Sequence, residues 1–159
     1  MADMSDVSLP VPIDGRQSER ALAIARGTLR MLRQLDYAGL QEFTLADGRR
    51  ADICALGQKG EIWIIEVKSS IADFRADEKW QDYLAFCDRF SFAVGPDFPA
   101  ELIPVEVGLI VADKYGAEIL REAPPVPLAA ARRKAVTQRF ARVSAYRLNM
   151  LFDPEGWAC

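Results

Sequence analysis

The sequence predicts an α/β domain with the core order α-β-β-β-α-β, a mixed central sheet, an added strand pair and a C-terminal helix. Three observations predict it. An amphipathic stretch comes first; three short β-rich segments parted by Asp47-Gly48 and Gly57-Gln58-Lys59-Gly60 follow; and a capped helical segment then leads into a further apolar strand.

From Arg16 to Leu35 the apolar residues Leu22, Ala25, Leu29, Leu32 and Leu35 recur every three or four positions, the period of a helix with one buried face, and Ser18 offers an internal start. Before it, residues 1–14, with Pro10 and Pro12, read as a flexible arm, leaving 15–159 as one domain. Residues 39–46, 50–56 and 61–68 alternate or run apolar between turn signals and make an antiparallel meander. Ser70 with Asp73 three residues on resembles a capping box and predicts a helix over 71–87. The strand at 89–94 then lies parallel to the third by the crossover rule. Residues 106–112 and 117–121 form a hairpin about Asp113-Lys114-Tyr115-Gly116. A proline-rich break precedes a last helix from about Leu128, packed through Val136, Phe140 and Val143.

The 159 residues contain no histidine. That removes Ser-His and Cys-His nucleophiles, His-liganded zinc and a His base, leaving carboxylates, Lys, Tyr and bound metal for any chemistry. Cys54, Cys87 and Cys159 match no zinc spacing and read as reduced, mostly buried thiols. No apolar run is long enough for a membrane span, and the start is acidic where a signal peptide is basic, so a cytoplasmic protein is expected. Residues 123–159 carry a net +4, from Arg132, Arg133, Lys134, Arg139, Arg142 and Arg147 against Asp153 and Glu155, so the rest holds −7 of the overall −3. An acidic pocket for a cation and a basic surface for phosphates suit that polarity; so does a helix whose arginines pair with acids on the body.

Strand alternation puts Glu66 and Lys68 on one face of the third strand, with Ile62 and Ile64. With a three-residue turn Gln58-Lys59-Gly60, Gly60 left-handed, Gly57 pairs with Glu61 and Asp52 falls opposite Glu66. A two-residue turn sets Asp52 against Ile65 and parts the acids. Adjacent buried carboxylates need a neutralising cation. Oxygen ligands favour Mg²⁺ or Mn²⁺, held by Asp52, Glu66 and the Val67 carbonyl, with Lys68 beside the attacking water or the phosphate. An isolated E-x-K on a strand is more commonly a solvated ion pair.

The helix, the meander bearing Asp52 and Glu66-Val67-Lys68, and the following helix and strand resemble the core of the PD-(D/E)XK nuclease superfamily, the restriction-endonuclease-like fold. Ala51 stands where that motif has proline. Arg50-Ala51-Asp52, Glu66 through Ser70, Asp73-Phe74-Arg75, Lys79-Trp80, Tyr83, Cys87-Asp88-Arg89 and Ala112 through Glu118 resemble, more closely, the bacterial MmcB family of DNA repair proteins.

The resemblance implies a metal-dependent DNA repair nuclease acting on damage such as crosslinks, with DNA and a repair protein as partners. The alternative is a catalytically silent nuclease fold that binds DNA or a repair partner. It implies metal-ligand roles for Asp52 and Glu66 and a catalytic role for Lys68. Glu19, three residues before Leu22 on the core-facing stripe, is either a capping acid or the acid that many superfamily members carry on the first helix. Glu42 on the first strand is a competing acid for that place, though it reads more readily as an exposed strand residue. Lys79, Gln81 and Tyr83 on the crossover helix are candidates for DNA contact by analogy with related nucleases, and Arg132, Arg133 and Lys134 by their charge.

Overall fold

The computed structural model describes residues 18–157. The arm expected over residues 1–14, and Cys159, lie outside them. Helix α1 (Glu19–Gln34) starts at Ser18, whose side chain accepts the Ala21 N–H. It is followed by β1 (Tyr37–Thr44), β2 (Arg50–Gly57) and β3 (Ile62–Lys68), then α2 (Ile71–Ala76), β4 (Arg89–Val94), β5 (Gly108–Ala112), β6 (Ala117–Arg121) and α3 (Ala130–Phe152). The fold is mixed α/β.

The six strands lie in sequential order in one sheet. β1, β2 and β3 form the antiparallel meander. β4 runs parallel to β3, β5 parallel to β4, and β6 returns antiparallel to β5. β3 is central and every one of its residues is buried, because the sheet is covered on both faces. On one face Ile53, Trp63, Ile65, Val67 and Ile110 pack beneath Ile24, Met31 and Leu32 of α1. On the other, Cys54, Ile62, Ile64, Phe90 and Phe92 meet Trp80, Tyr83 and Phe86, with Phe43 against Val136, Phe140 and Val143 of α3. Alternation along β3 feeds both layers, as its apolar run requires.

Gly27 fixes how closely α1 approaches the sheet. A β-carbon there would lie 1.9 Å from the Asp113 carbonyl oxygen, so only glycine admits this contact with the β5–β6 turn.

The helix expected over 71–87 is broken. α2 ends at Ala76, and Trp80–Phe86 form a separate 3-10 segment. Two local attractions account for the break. Asp77 Oδ1 accepts the Lys79 N–H at 3.2 Å, an Asp side chain capturing nearby backbone. Trp80 stacks on Phe90 and meets Phe92 edge-on, drawing the second half onto the sheet.

Asp88 ties α3 to the body. Its carboxylate accepts the backbone N–H groups of Ile62 and Leu128, each at 2.8 Å, and both guanidinium nitrogens of Arg133. Arg133 also donates to the Gly60 carbonyl. The arginines of the tail thus pair with the body in part, one of the two readings of their charge.

Candidate active site

The turn between β2 and β3 decides whether two acids can meet. Gly57 N donates to Glu61 O at 2.8 Å, Gly60 N to Gly57 O at 3.0 Å, and Gly60 has φ +85°, a conformation that glycine adopts without strain. The ladder pairs Leu56 with Ile62 through Ile53 with Ile65. One step further sets Asp52 opposite Glu66, the register the three-residue turn requires. Glu66 Oε1 accepts the Asp52 N–H at 3.0 Å, and Asp52 Oδ2 accepts the Val67 N–H at 2.8 Å. Each carboxylate is therefore anchored on the other's strand.

These acids open into a cleft of about 320 Å³, lined also by Lys68 and Asp73 and by Ser18, Ala21 and Ala25 of α1. Burial raises the Asp52 carboxyl to about 6; the Val67 N–H opposes the rise and the charge of Glu42 adds to it. Burial also holds Glu66 well above the ordinary carboxylate range, with the Asp52 charge adding to it. Two desolvated carboxyls that resist ionising together form an all-oxygen donor set suited to a hard divalent cation. Among the described residues no three acidic or thiol side chains converge on one point as a complete cage. Two carboxylates with a backbone oxygen and waters match the way Mg²⁺ is ordinarily held.

Lys68, 6% exposed, points its ammonium at Asp77, 2.8 Å away. Burial alone would lower the lysine pKa, but the Asp77 hydrogen bond and charge outweigh it, and the net shift is upward. Asp77 reaches this position because α2 stops one residue earlier. A continuous helix hid it from sequence reasoning; an aspartate two residues before the Lys79 amide it captures was the available signal.

The remaining sequence candidates divide. Glu19 is exposed on the first turn of α1 and does not line the cleft, where that helix presents small side chains. Glu42 is 6% exposed, lines the cleft and faces Asp52 across the strands, between the pairs Gln41–Ile53 and Phe43–Ala51. Its expected place as an exposed strand residue is therefore corrected: opposite Asp52 it shares that residue's face of the sheet and is buried with it, and its backbone φ is +51°. Lys79 and Gln81 are exposed. Tyr83 is buried and donates its hydroxyl to the Arg50 carbonyl at 3.0 Å, so its ring is part of the core rather than a surface for stacking bases. Arg132 is exposed with its guanidinium 4.7 Å above the Phe86 ring, Lys134 is exposed, and Arg133 is engaged by Asp88.

A family model described as DNA repair protein MmcB-like matches residues 9–155. The chain belongs to the MmcB-like family. A solved structure of a protein of unknown function from Silicibacter pomeroyi is similar to this MmcB-like chain at 53% identity and TM-score 0.84, over 88% of this chain and 96% of that one. No match is found among curated proteins. Among the described residues of the MmcB-like chain, no helix is long and apolar enough to cross a membrane.

Proposed function

We propose that this MmcB-like chain is a DNA repair nuclease of the PD-(D/E)XK, restriction-endonuclease-like type, cleaving phosphodiester bonds with Mg²⁺ or Mn²⁺. The observation that carries the proposal is the reciprocal anchoring of Asp52 and Glu66, which holds two charge-resisting carboxyls side by side with Lys68 on the same strand face. Asp52, Glu66 and the Val67 carbonyl would hold the cation. When bound, it supplies Lewis acidity to a phosphoryl oxygen and lowers the pKa of a water.

The chain's own groups do the rest. The Asp52 and Glu66 backbones, locked in the sheet, keep the carboxylates in register with each other. Lys68 carries a positive charge into the cleft, suited to offsetting charge that develops on a phosphate oxygen. Asp77 holds that ammonium in place and keeps it protonated. Exposed Lys79, Gln81, Arg132 and Lys134 are left for the DNA backbone.

Binding to DNA or a repair partner without cleavage is the second reading. The Lys68–Asp77 contact favours it, since a lysine so held is poorly placed to act as a base. Cleavage of single-stranded, duplex, branched and crosslinked DNA, with Mg²⁺ or Mn²⁺, separates the two. Turnover abolished by Asp52→Ala and by Lys68→Ala supports the nuclease; salt-dependent binding with no turnover supports the second reading. Cleavage that survives both substitutions would falsify the assignment.

A further inference from the structure

The packing stripe of α3 runs Val136, Phe140, Val143 and then, where another hydrophobe would continue it, Arg147. Arg147 is 4% exposed. Its Nη1 donates to the Gln41 carbonyl, its Nη2 to the Glu42 carbonyl at 2.6 Å, and its Nε is buried without a hydrogen-bond partner. A buried guanidinium with an idle donor is costly where an apolar side chain would pack well, so its presence calls for a reason beyond stability.

Adjacent carbonyls in a regular strand point to opposite sides, and one side chain cannot take both. Arg147 takes both because Glu42 has φ +51°, a left-handed conformation unfavourable for glutamate. On this same residue, opposite Asp52, the side chain lines the cleft. There its carboxylate meets Arg50 Nε at 2.6 Å, from a side chain half exposed.

We propose that Arg147 is a positioning residue of the cation site, holding the backbone turn at Glu42 that brings a third carboxylate into the cleft. The proposal rests on the cation reading above. Mg²⁺ and Mn²⁺ retain waters on the side away from their protein ligands, and an acid one water further out strengthens binding through them. The last helix, remote in sequence, thereby sets the negative charge of a site built on β2 and β3.

The test is Mn²⁺ binding to the full chain by titration calorimetry, without DNA. Arg147→Met keeps the volume and removes the donors; with Glu42→Gln, each is expected to weaken Mn²⁺ binding about 10-fold, with the double variant no weaker than the worse single. Arg147→Lys, which retains the charge and can reach one carbonyl, is expected to show a smaller loss and carries the comparison if Arg147→Met does not fold. Unchanged affinity in the folded Arg147 variant, or losses that multiply in the double, overturns the proposal. A wild-type chain that binds no Mn²⁺, or binds it equally after Asp52→Ala, overturns the cation reading and this role with it. Loss in Asp52→Ala beside full affinity in the Arg147 variants overturns this role alone.

Discussion

Lys68 and Asp77 form a buried ion pair, 2.8 Å between nitrogen and oxygen, at the point where the crossover helix breaks. The pair links the last residue of β3 to the first residue after α2, so the break in the helix and the state of the lysine are one feature. Removing the acid leaves burial as the main influence on the ammonium, and its pKa falls. Asp77→Asn is expected to shift the alkaline limb of the cleavage profile to lower pH and to cost about 2 kcal/mol of stability. A pH–rate profile and urea unfolding of the same variant check this; an unmoved limb counts against Lys68 titrating in the cleavage step.

The carboxyl pair makes the metal-free fold sensitive to pH in a defined sense. Asp52 titrates at 3.8 when unperturbed and at about 6 in the fold. Between those values the folded chain keeps a proton that the unfolded chain has lost, so the stabilisation is full below 3.8 and is lost as pH rises through about 6. Glu66, also raised, acts in the same direction. Compared with Asp52→Asn, the metal-free wild type is expected to lose roughly 2 to 3 kcal/mol between about pH 4 and pH 7. Mg²⁺ is expected to restore more of its melting temperature near neutrality than near pH 5. Parallel melting curves for the two proteins across this range would contradict it.

Neighbouring residues on α3 are expected to separate by function. Arg133 is bound by Asp88, whose carboxyl burial would raise but which Arg133 and two backbone N–H groups hold below the usual carboxylate range. Asp88→Ala strands a guanidinium and two amides and is expected to cost about 3 kcal/mol in urea unfolding. Arg132→Ala and Lys134→Ala are expected to leave unfolding nearly unchanged and to reduce the salt dependence of DNA binding. An Arg133→Ala variant that lowers the salt dependence as much as these two would place Arg133 on the DNA surface after all.

Gly27→Ala forces the Asp113 carbonyl or α1 to move, since backbone stands 1.9 Å from the new methyl group. A loss of about 3 kcal/mol is expected from such overpacking. Because α1 also lines the cleft, Mn²⁺ affinity measured on the folded variant reports how far the displacement travels.

The meander, the parallel crossover and the carboxylate register were legible because each rests on local rules. Gly60 selects the turn, the turn sets the pairing, and pairing with period two puts Asp52 beside Glu66. Boundaries of β4 and β6 follow from short apolar runs between turn residues for the same reason. What stayed hidden depends on partners distant in sequence. The break after α2 needs the Phe90–Phe92 surface that draws Trp80 onto the sheet; the backbone turn at Glu42 is met by Arg147. Glu19 takes the first of its two expected places, a first-turn acid of α1, while the left-handed backbone at Glu42 is announced by no periodicity.

β1 lies at one margin of the sheet, and its outward carbonyls at Gln41, Glu42 and Thr44 are taken by Arg147 and Arg139. An uncovered strand margin is a template for pairing with another chain. Here the Gln41–Thr44 part of that margin, on the first strand of the sheet, is capped by α3. During synthesis that stretch is expected to stay open to pairing until α3 emerges. A chain cut before α3 keeps those carbonyls bare for good, and is expected to associate with itself through β1.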